Sequence, residues 1–439
     1  MGNNVSFSLL ILADDLTGAL DTGVQFTKRG TDVEVYLSLD DAVQVFRETG
    51  ADTRAVVRVI NTNTRHASAE EARRIVSAAA HAFRDCTHFY KKTDSCLRGN
   101  IGAELEALME ATGTTLLPFV PAYPALKRTT RGGYQYLDGE LIQHSPMAND
   151  PLNPVTDSFI PAIIGKQTKV PVRLVGTDLR GTDLPGTDLR GTEHILVFDG
   201  ETSAHLEAAA KALREKGLLR VSAGCAGFAE ALLEALHFPS TQGNEGANAV
   251  VPIDKLPILV ISGSLNPVSI EQIEAAREKK TPCFGVAEED LLAKGWFGSE
   301  SARSLAADCR RLLEASGICV LGTDLAVGIH ADGTTPPARG DSQQTACQIA
   351  RQLAQQVADG LGKITQSIIN ETGPLHLVIF GGDTLLGIMK TLGYKYLRPL
   401  KEIYPGVVLA ETDGRRGWLV TKSGAFGDRA LISALEDWL

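Results

Sequence analysis

The sequence predicts an α/β protein of two domains, and three observations carry this prediction. The chain has 439 residues, which is more than one ordinary hydrophobic core accommodates. In both halves, short apolar runs alternate with longer helical patterns, as is typical of parallel, doubly wound sheets. Between the halves, residues 239–255 are rich in Gly, Asn, Ser and Pro without periodicity, which indicates a linker. We therefore expect an N-terminal domain at 1–238 and a C-terminal domain at 256–439.

Composition excludes several classes of protein. A net charge of −10 argues against a nucleic-acid partner, because binding to phosphate backbones needs a basic face. The N-terminal residues lack a basic region before their apolar run, and no apolar run is long enough to span a bilayer, so we expect neither a signal peptide nor a membrane anchor. The seven cysteines are scattered and form no CxxC pair, which favours a cytoplasmic protein over a disulfide or zinc framework.

The first half predicts a parallel sheet with helices between its strands. Ser68 followed by Glu71 is a capping-box pattern and predicts the start of a helix. The predicted strands are 7–13, 33–37, 55–61, 87–90, 114–120 and 195–198. The predicted helices begin at 16, 69, 101, 204 and 227.

Ionisable residues follow three of these strands. Asp14 and Asp15 follow the first strand, 61–65 closes the third, and 91–94 closes the fourth. The carboxyl ends of parallel strands share one edge of a sheet, which is where ligands bind in open α/β folds. The sequence therefore predicts that these three clusters converge on one site.

The richest of these clusters is YKKTDSCLRGNIGAE, residues 90–104, which leads into a helix. It places Lys91, Lys92 and Arg98 around Asp94. Three cations beside one carboxylate are suited to holding an anionic substrate while one group handles a proton. Taken alone, the stretch also fits a solvated basic turn.

Two further segments of the first half show neither helical nor strand periodicity. Residues 121–141 combine Pro and Gly with Lys127, Arg128 and Arg131, which fits either an exposed basic hairpin or a flap over the substrate. A five-residue unit repeats through 176–192. Its period is too short for a solenoid, so we interpret it as a surface-loop expansion without an assigned function.

The second half uses one arrangement three times. Predicted strands at 258–261, 377–380 and 418–421 are each followed by a glycine-containing turn and a helix. In the first case Asn266 is the expected N-cap, with Pro267 at the first helical position.

Glycines at strand-to-helix turns let backbone N–H groups approach an anion, which is a common way of binding phosphate. Lys422 could then neutralise phosphate charge, and Asp383 or Asp428 could hold Mg²⁺. The alternative is that glycine only permits tight turns; three such turns in one domain favour nucleotide binding. Neither a Walker P-loop nor a GxGxxG fingerprint is present.

Several long blocks, in order, resemble one family. ILADDLTGALDTGVQF, VINTNTR, YKKTDSCLRGNIGAE and PAYPALKRTTRGGYQYLDG are similar to the N-terminal half of the four-carbon acid sugar kinases. VISGSLNP, VIFGGDT, YPGVVLAETDG and TKSGAFGD are similar to the C-terminal half. The motifs DTGVQF and KKTDS are more similar to those of the threonate and erythronate kinases than to those of the 3-oxo-tetronate kinases. The pentapeptide repeat and Leu16 depart from the family pattern.

This resemblance implies a kinase that uses ATP and Mg²⁺ to phosphorylate the terminal hydroxyl of a four-carbon sugar acid. It implies that the N-terminal domain binds the acid, the C-terminal domain binds ATP, and the active site lies in the cleft between them. The implied acid contacts are Asp15, Arg65, Lys91, Lys92, Thr93 and Asp94. The implied ATP contacts are Ser262, Gly381, Gly382, Asp383, Thr384 and Gly406, with Lys422, Gly424 and Gly427 as further candidates.

In the resulting hypothesis, Arg65 and either lysine hold the substrate carboxylate, while Asp15 or Asp94 accepts the hydroxyl proton. The alternatives are a 3-oxo-tetronate kinase, an ATP-dependent enzyme that activates a carboxylate, and a nucleotide-gated sugar-acid sensor. The sequence leaves open the stereochemistry of the acid and the oligomeric state, a homodimer among the options.

Overall fold

The computed structural model describes residues 8–49, 56–150, 153–179, 192–238, 255–327, 343–412, 417–424 and 426–438. The chain divides into two compact units, Met1–Ala247 and Asn248–Leu439. Most of the five-residue repeat and of the expected linker lies outside the described residues.

The N-terminal unit alternates strands and helices along most of its length. Its elements are β1 (Leu9–Ala13), α1 (Leu16–Thr27), β2 (Val33–Tyr36), α2 (Leu39–Thr49), β3 (Val57–Asn61), α3 (Ala69–Ala82), β4 (His88–Lys92), α4 (Ile101–Thr112), β5 (Leu116–Val120), β6 (Arg128–Arg131), β7 (Tyr134–Leu137), β8 (Glu140–Leu141), α5 (Ile160–Gly165), β9 (Val172–Val175), β10 (His194–Phe198), α6 (Ser203–Glu215), β11 (Val221–Gly224) and α7 (Ala226–Leu236).

Among the described residues, eight strands of this unit form one sheet in the order β2-β3-β1-β4-β11-β5-β10-β9. Every neighbouring pair in that sheet is parallel. Helix α1 packs against α7, and α3 packs against α4. The predicted doubly wound parallel sheet is thus confirmed.

Local sequence signals explain where several of these elements begin. Ser68 caps α3, because its hydroxyl accepts a hydrogen bond from the Glu71 backbone N–H at 3.2 Å, so the predicted capping interaction is confirmed. Strands β6, β7 and β8 form a small antiparallel sheet, so 128–141, within the segment predicted as a loop or hairpin, folds as a hairpin. The predictions missed α2, α5, β9 and β11; of these, β9 is an edge strand, and α5 and β11 have only six and four residues.

The C-terminal unit begins with β12 in the described residues. Its elements are β12 (Ile258–Ser262), α8 (Pro267–Glu278), β13 (Cys283–Val286), α9 (Glu288–Leu292), α10 (Glu300–Ser316), β14 (Ile318–Thr323), α11 (Gln343–Thr372), β15 (His376–Phe380), α12 (Gly382–Thr391), β16 (Tyr396–Tyr404), β17 (Val407–Thr412), β18 (Leu419–Lys422) and α13 (Leu431–Trp438).

The described strands of this unit form a sheet in the order β13-β14-β12-β15-β18-β17-β16. The first five strands are parallel, and β17 and β16 continue the sheet in antiparallel orientation. The three predicted strand-to-turn-to-helix units correspond to β12–α8, β15–α12 and β18–α13. No helix in the described parts of the chain is both long enough and apolar enough to cross a membrane.

Candidate functional site

The three polar clusters of the N-terminal unit meet at one edge of its sheet. Strand β1 lies between β3 and β4, and Ala13 pairs in register with Asn61 on one side and Lys92 on the other. Residues that follow these strands therefore lie close together, and the predicted convergence is confirmed.

Arg65 is the centre of this edge. Its Nε and Nη2 donate to the two Asp14 carboxylate oxygens at 2.8 and 3.0 Å. Its Nη1 and Nη2 also donate to the two Asp15 oxygens, both at 2.8 Å. Burial favours a lower pKa for Arg65, but the nearby carboxylates of Asp14, Asp15 and Asp94 raise that pKa well above its ordinary value. The guanidinium is permanently charged and is already engaged by two aspartates.

Asp15 combines this ion pair with a role at the start of α1. Its carboxylate caps the helix by accepting from the Gly18 N–H at 3.0 Å, and it accepts from the Thr17 hydroxyl at 2.6 Å. Burial raises the pKa of Asp15, yet Arg65 and Lys92 together leave that pKa below its ordinary value. About a fifth of the side chain, 19%, is exposed. Asp15 is therefore an ionised acceptor with access to a ligand.

Asp94 is held differently. Arg98 donates to both of its oxygens, at 2.8 and 3.1 Å, and the Arg98 backbone N–H donates to it at 3.2 Å. Arg98 also donates to Asp150 at 3.0 Å. Burial favours a higher pKa for Asp94, but the guanidinium groups of Arg98 and Arg65 hold it far below the usual range. Only 9% of the Asp94 side chain is exposed.

The two adjacent lysines on β4 have different surroundings, because successive strand residues point to opposite faces of a sheet. The Lys91 Nζ is fully buried and donates to the backbone oxygens of Leu12 and Lys92, at 3.2 and 2.8 Å. It also forms an ion pair with Glu104 of α4 at 3.1 Å. Burial raises the pKa of Glu104, against the opposing effect of Lys91.

Lys92 lies on the other face, beside α1. Its Nζ donates to the Thr93 backbone oxygen at 2.9 Å. A Cβ placed on Gly18 would lie 2.8 Å from that Nζ and 2.4 Å from an Asp15 oxygen. Glycine at position 18 therefore lets Asp15 and Lys92 approach each other across the helix start. Thr93 is buried and donates to the Gly224 backbone oxygen at 3.3 Å.

The structure thus distinguishes the two lysines that the sequence predicts to contact a ligand. The Lys91 ammonium has no exposed surface and is surrounded by three acceptors, whereas Lys92 shares the face of Asp15. Two adjacent residues of a strand are expected on opposite faces, but the sequence pattern does not indicate which lysine is covered. Glu104, the partner of Lys91, closes the same motif.

The basic hairpin brings one of its three cations to this cluster. Gln135 of β7 donates to the Ser95 backbone oxygen at 3.0 Å and so joins the hairpin to the 90–104 stretch. Arg128 is half-buried; burial favours a lower pKa for it, but nearby Cys96 and Asp94 raise that pKa. Lys127 is exposed and pairs with Asp138 at 2.7 Å, and Arg131 is exposed over the Tyr136 ring.

In the C-terminal unit, the three glycine turns converge at the carboxyl edge of the parallel strands. Ser262 pairs in register with Phe380, and Phe380 pairs with Lys422. A Cβ on Gly263 would lie 2.5 Å from the Thr384 hydroxyl, and one on Gly424 would lie 2.9 Å from the Ser264 hydroxyl. The close packing of these turns depends on glycine, as expected for backbone that approaches a ligand.

The turn before α12 is suited to an anion. Gly381 is the N-cap, with φ of 103° and no side-chain hydrogen bond to the first turn. That backbone conformation is one that only glycine adopts readily. The first N–H groups of α12 therefore have no capping side chain, and helix N-termini of this kind bind phosphate groups. Thr384 is buried beside this turn.

The remaining predicted residues lie around the third turn. Gly406 has φ of 71°, and a Cβ there would lie 2.5 Å from the Phe426 ring; Gly427 has φ of 79°. Lys422 is buried and donates to Ser269 and Gln272 of α8, at 2.8 and 2.6 Å. These α8 partners were not among the predicted site residues, although their spacing of three places them on one helix face.

The carboxylates considered for Mg²⁺ are both exposed. Asp383 lies in the first turn of α12, and Asp428 accepts from the Ala430 N–H at 2.8 Å. Within the described ranges, no group of three or more His, Cys, Asp and Glu residues could hold a metal ion by itself. Mg²⁺ bound through substrate phosphates needs only one or two carboxylates, so Asp383 fits such an ion.

Comparison with known proteins supports this division into two units. Residues 9–232 match the model of a sugar-binding N-terminal domain, and residues 259–432 match that of a nucleotide-binding C-terminal domain. The chain is 30% identical to a D-threonate kinase of Salmonella typhimurium, covering 97% of each chain. It is 26% identical to a D-erythronate kinase of Heliobacterium modesticaldum, covering 98% of this chain and 97% of that protein. It is 28% identical to a 3-oxo-tetronate kinase of Pseudomonas fluorescens, covering 96% and 95%.

Solved structures share the fold. A Salmonella typhimurium protein described as a putative tRNA synthase superposes with a TM-score of 0.72 at 22% identity, covering 98% of both chains. A Haemophilus influenzae protein superposes with a TM-score of 0.68 at 22% identity, covering 98% of this chain and 99% of that one.

Proposed function

The chain belongs to the four-carbon acid sugar kinase family, and from this premise we propose that it transfers the γ-phosphoryl group of ATP to the terminal hydroxyl of D-threonate or D-erythronate. The proposal depends on the presence, in one chain, of two chemically different sheet edges, one in each unit. One edge has cations and ionised carboxylates that suit a hydroxylated acid, and the other has glycine turns that suit phosphates.

The sugar acid is proposed to bind at the Arg65 edge of the N-terminal unit. Since Arg65 is engaged by Asp14 and Asp15, it mainly fixes those carboxylates. Lys92 is the better candidate for the substrate carboxylate, with Arg128 of the hairpin as a second cation near Asp94. Lys91 supports the strand from the opposite face through Glu104.

Asp15 is the proposed partner of the reacting hydroxyl. Each carboxylate accepts two bonds from a guanidinium, that of Arg65 for Asp15 and that of Arg98 for Asp94. The Asp15 side chain is the more accessible of the two, at 19% exposed against 9% for Asp94. An ionised carboxylate next to the hydroxyl orients it and accepts its proton as the phosphoryl group is transferred. Asp15→Asn keeps the size of the side chain and should lower kcat by about 10²-fold or more.

The glycine turns of the C-terminal unit are proposed to hold the ATP phosphates through the backbone N–H groups around Gly381, Gly382 and Gly424. Thr384 and Ser262 line the same edge, and Gly406 and Gly427 shape the third turn. A Mg²⁺ ion held by the phosphates and Asp383 would offset charge on the transferring group. ATP as the phosphate donor and six free cysteines among the described residues support a cytoplasmic location.

The test is ADP release in the presence of Mg-ATP and a panel of D-threonate, L-threonate, D-erythronate, L-erythronate and 3-oxo-tetronate. One strong response from D-threonate or D-erythronate is expected, and Asp15→Asn should abolish most of it. The matched control is Asp157→Asn, an aspartate in the same unit that pairs with Lys166. A strong response only from 3-oxo-tetronate would assign that activity instead.

Two other outcomes would reject the proposal. An enzyme that activates the carboxylate would yield an acyl phosphate, which hydroxylamine traps and a phosphate ester resists. A sensor would bind both ligands without releasing ADP.

A further inference from the structure

Lys422 is a buried cation in the C-terminal unit, and no carboxylate of the described residues forms an ion pair with it. It lies at the end of β18, and its side chain is 1% exposed. Its Nζ donates to the Ser269 hydroxyl at 2.8 Å and to the Gln272 amide oxygen at 2.6 Å, and it lies 4.3 Å from the centre of the Phe380 ring. Buried lysines are rarely left without an opposite charge, so this position needs an explanation.

The partners of Lys422 extend to two of the glycine turns. The Ser269 hydroxyl lies 3.2 Å from the Ser264 hydroxyl, in the turn after β12. It also donates to the Gly424 backbone oxygen, in the turn after β18, at 3.1 Å. Gln272 donates to the backbone oxygens of Phe426 and Asp428 at 3.1 and 2.8 Å. The charge of Lys422 is therefore placed directly behind the turns that are suited to phosphate.

Charged groups on the neighbouring elements do not neutralise it. The faces packed on Lys422 are those of α8, β15, β17, α13 and the turn after β18. Within the described residues, no carboxylate forms an ion pair with Lys422, and burial alone lowers its pKa to about 7. The charged or titratable residues in the sequences of these elements are Glu271, Glu274, Arg277, Glu278, His376, Glu411, Asp428, Arg429, Glu436 and Asp437.

We propose that Lys422 is a positioning residue that supplies a proton-dependent positive charge to the nucleotide site, so that binding of a nucleoside polyphosphate is coupled to uptake of one proton by Lys422. This inference rests on the proposed function and deepens it. Lys422 is proposed to act on the glycine turns through its hydrogen bonds to Ser269 and Gln272, without contacting the reacting atoms.

The direction of the coupling follows from the charges. The free protein holds Lys422 with a pKa of about 7, so above that pH the side chain is mostly neutral. Bound phosphates bring negative charge into a site of low dielectric constant and favour the ammonium form. Binding therefore raises the pKa of Lys422, and affinity falls as the pH rises through the range between the free and bound values. Within that range, the Kd should rise by up to about tenfold for each pH unit.

The experiment is calorimetric titration of the full-length protein with Mg-ADP, without sugar acid. At about pH 8 the free side chain is mostly deprotonated and the phosphates of ADP are ionised. Titrations in two buffers of different ionisation enthalpy then give the number of protons taken up. We expect a value approaching one, and a Kd that rises from about pH 7 to about pH 9.

Variants identify the group that takes up the proton. Lys422→Met keeps an unbranched side chain without charge and should bind Mg-ADP with no proton uptake and a flat pH profile. Lys422→Arg keeps a fixed charge and should also bind without proton uptake, but more tightly than Lys422→Met. The matched control is Lys279→Met, at an exposed position that ends α8, which should behave as the wild type does.

The outcomes separate this inference from the function on which it rests. Mg-ADP binding without proton uptake in the wild-type protein would overturn the inference and leave the kinase proposal standing. Proton uptake that persists in Lys422→Met would also overturn it, by assigning the proton to another group. The wild-type measurement needs no variant, so it decides even if Lys422→Met does not fold. Absence of any nucleotide binding would instead overturn the proposed function and this inference together.

Discussion

The polar sheet edges of the N-terminal and C-terminal units differ in how their buried cations are compensated. In the N-terminal unit, Arg65 is compensated by Asp14 and Asp15, and Arg98 is compensated by Asp94 and Asp150. In the described part of the C-terminal unit, the buried Lys422 donates to two neutral acceptors and lies over an aromatic ring. The N-terminal edge is compensated by its own ion pairs, whereas the C-terminal edge holds a buried cation that no described carboxylate pairs with.

This contrast predicts where each unit is sensitive to mutation. Removing a member of a compensated cluster leaves its partners buried without a counter-charge, which mainly lowers stability. Altering a glycine turn changes the shape of backbone that approaches a ligand, which mainly lowers affinity. The following changes test that distinction, from the largest expected effect to the smallest.

Arg65→Met should have the largest effect. It leaves the carboxylates of Asp14, Asp15 and Asp94 close together without their shared cation. We expect a loss of about 3–5 kcal/mol in the free energy of unfolding, with loss of kinase activity, measured by urea denaturation and ADP release. The control Arg74→Met removes an exposed guanidinium paired with Glu71 and should cost far less, because solvent screens an exposed ion pair. Equal losses for the two variants would contradict the central place of Arg65.

The two neighbouring lysines test the distinction within one strand. Lys91→Met leaves Glu104 buried without its cation and should lower the free energy of unfolding by about 3 kcal/mol. Glu104 can take up a proton, and this limits the loss. Lys92→Met should instead raise the KM for the sugar acid by about tenfold or more, through loss of one hydrogen bond to a charged group. Denaturation curves and steady-state kinetics on both variants are required. A larger rise in KM for Lys91→Met than for Lys92→Met would reverse our assignment.

Gly406→Ala should lower both the stability of the C-terminal unit and its affinity for ATP, because it distorts a turn of the backbone. Its φ of 71° is unfavourable for alanine, and the new Cβ would lie 2.5 Å from the Phe426 ring. Gly113→Ala is the matched control, because its φ is 65° with nothing within 4 Å of the new Cβ. The control should cost about 1–2 kcal/mol from the backbone alone. Gly406→Ala should cost more and also raise the KM for ATP, and equal costs with an unchanged KM would count against the role of this turn.

Acid sensitivity should be the smallest effect and confined to the compensated cluster. Asp94 has a lower pKa in the folded protein than in the unfolded chain, where it is about 4. Its stabilising contribution is therefore complete above about pH 4 and is lost as the pH falls further toward the folded value. Asp94→Asn should reduce the slope of unfolding free energy against pH below about pH 4. Glu71→Gln, which alters an exposed pair with Arg74, should change that slope less.

Much of the fold follows from local signals in the sequence. Apolar runs marked β1 to β5, β10, β12, β15 and β18 but not the central strands β11 and β14. Ser68 and Asn266 marked helix starts that the structure confirms. Parallel strands bring their carboxyl ends to one edge, so the convergence of Asp15, Arg65 and Asp94 could be derived before any coordinates.

The pairing of individual side chains could not be derived in the same way. The partition of Lys91 and Lys92 depends on which helix covers each face, and that is decided by tertiary packing. The contacts of Lys422 with Ser269 and Gln272 join residues about 150 positions apart, beyond the reach of local patterns. The hairpin of β16 and β17 was also missed, although its two strands pair with each other and β17 pairs with the neighbouring β18.

The arrangement of β4 constrains how this family can tolerate insertions and deletions. Adding or removing one residue that shifts the register of a strand exchanges its two faces. In β4 such a shift would turn Lys92 toward Glu104 and Lys91 toward Asp15. The composition of the motif would be unchanged, and a sequence comparison would still find two lysines there. Length changes near this strand should therefore be tolerated only in compensating pairs, and alignments that place a gap within it deserve a structural check.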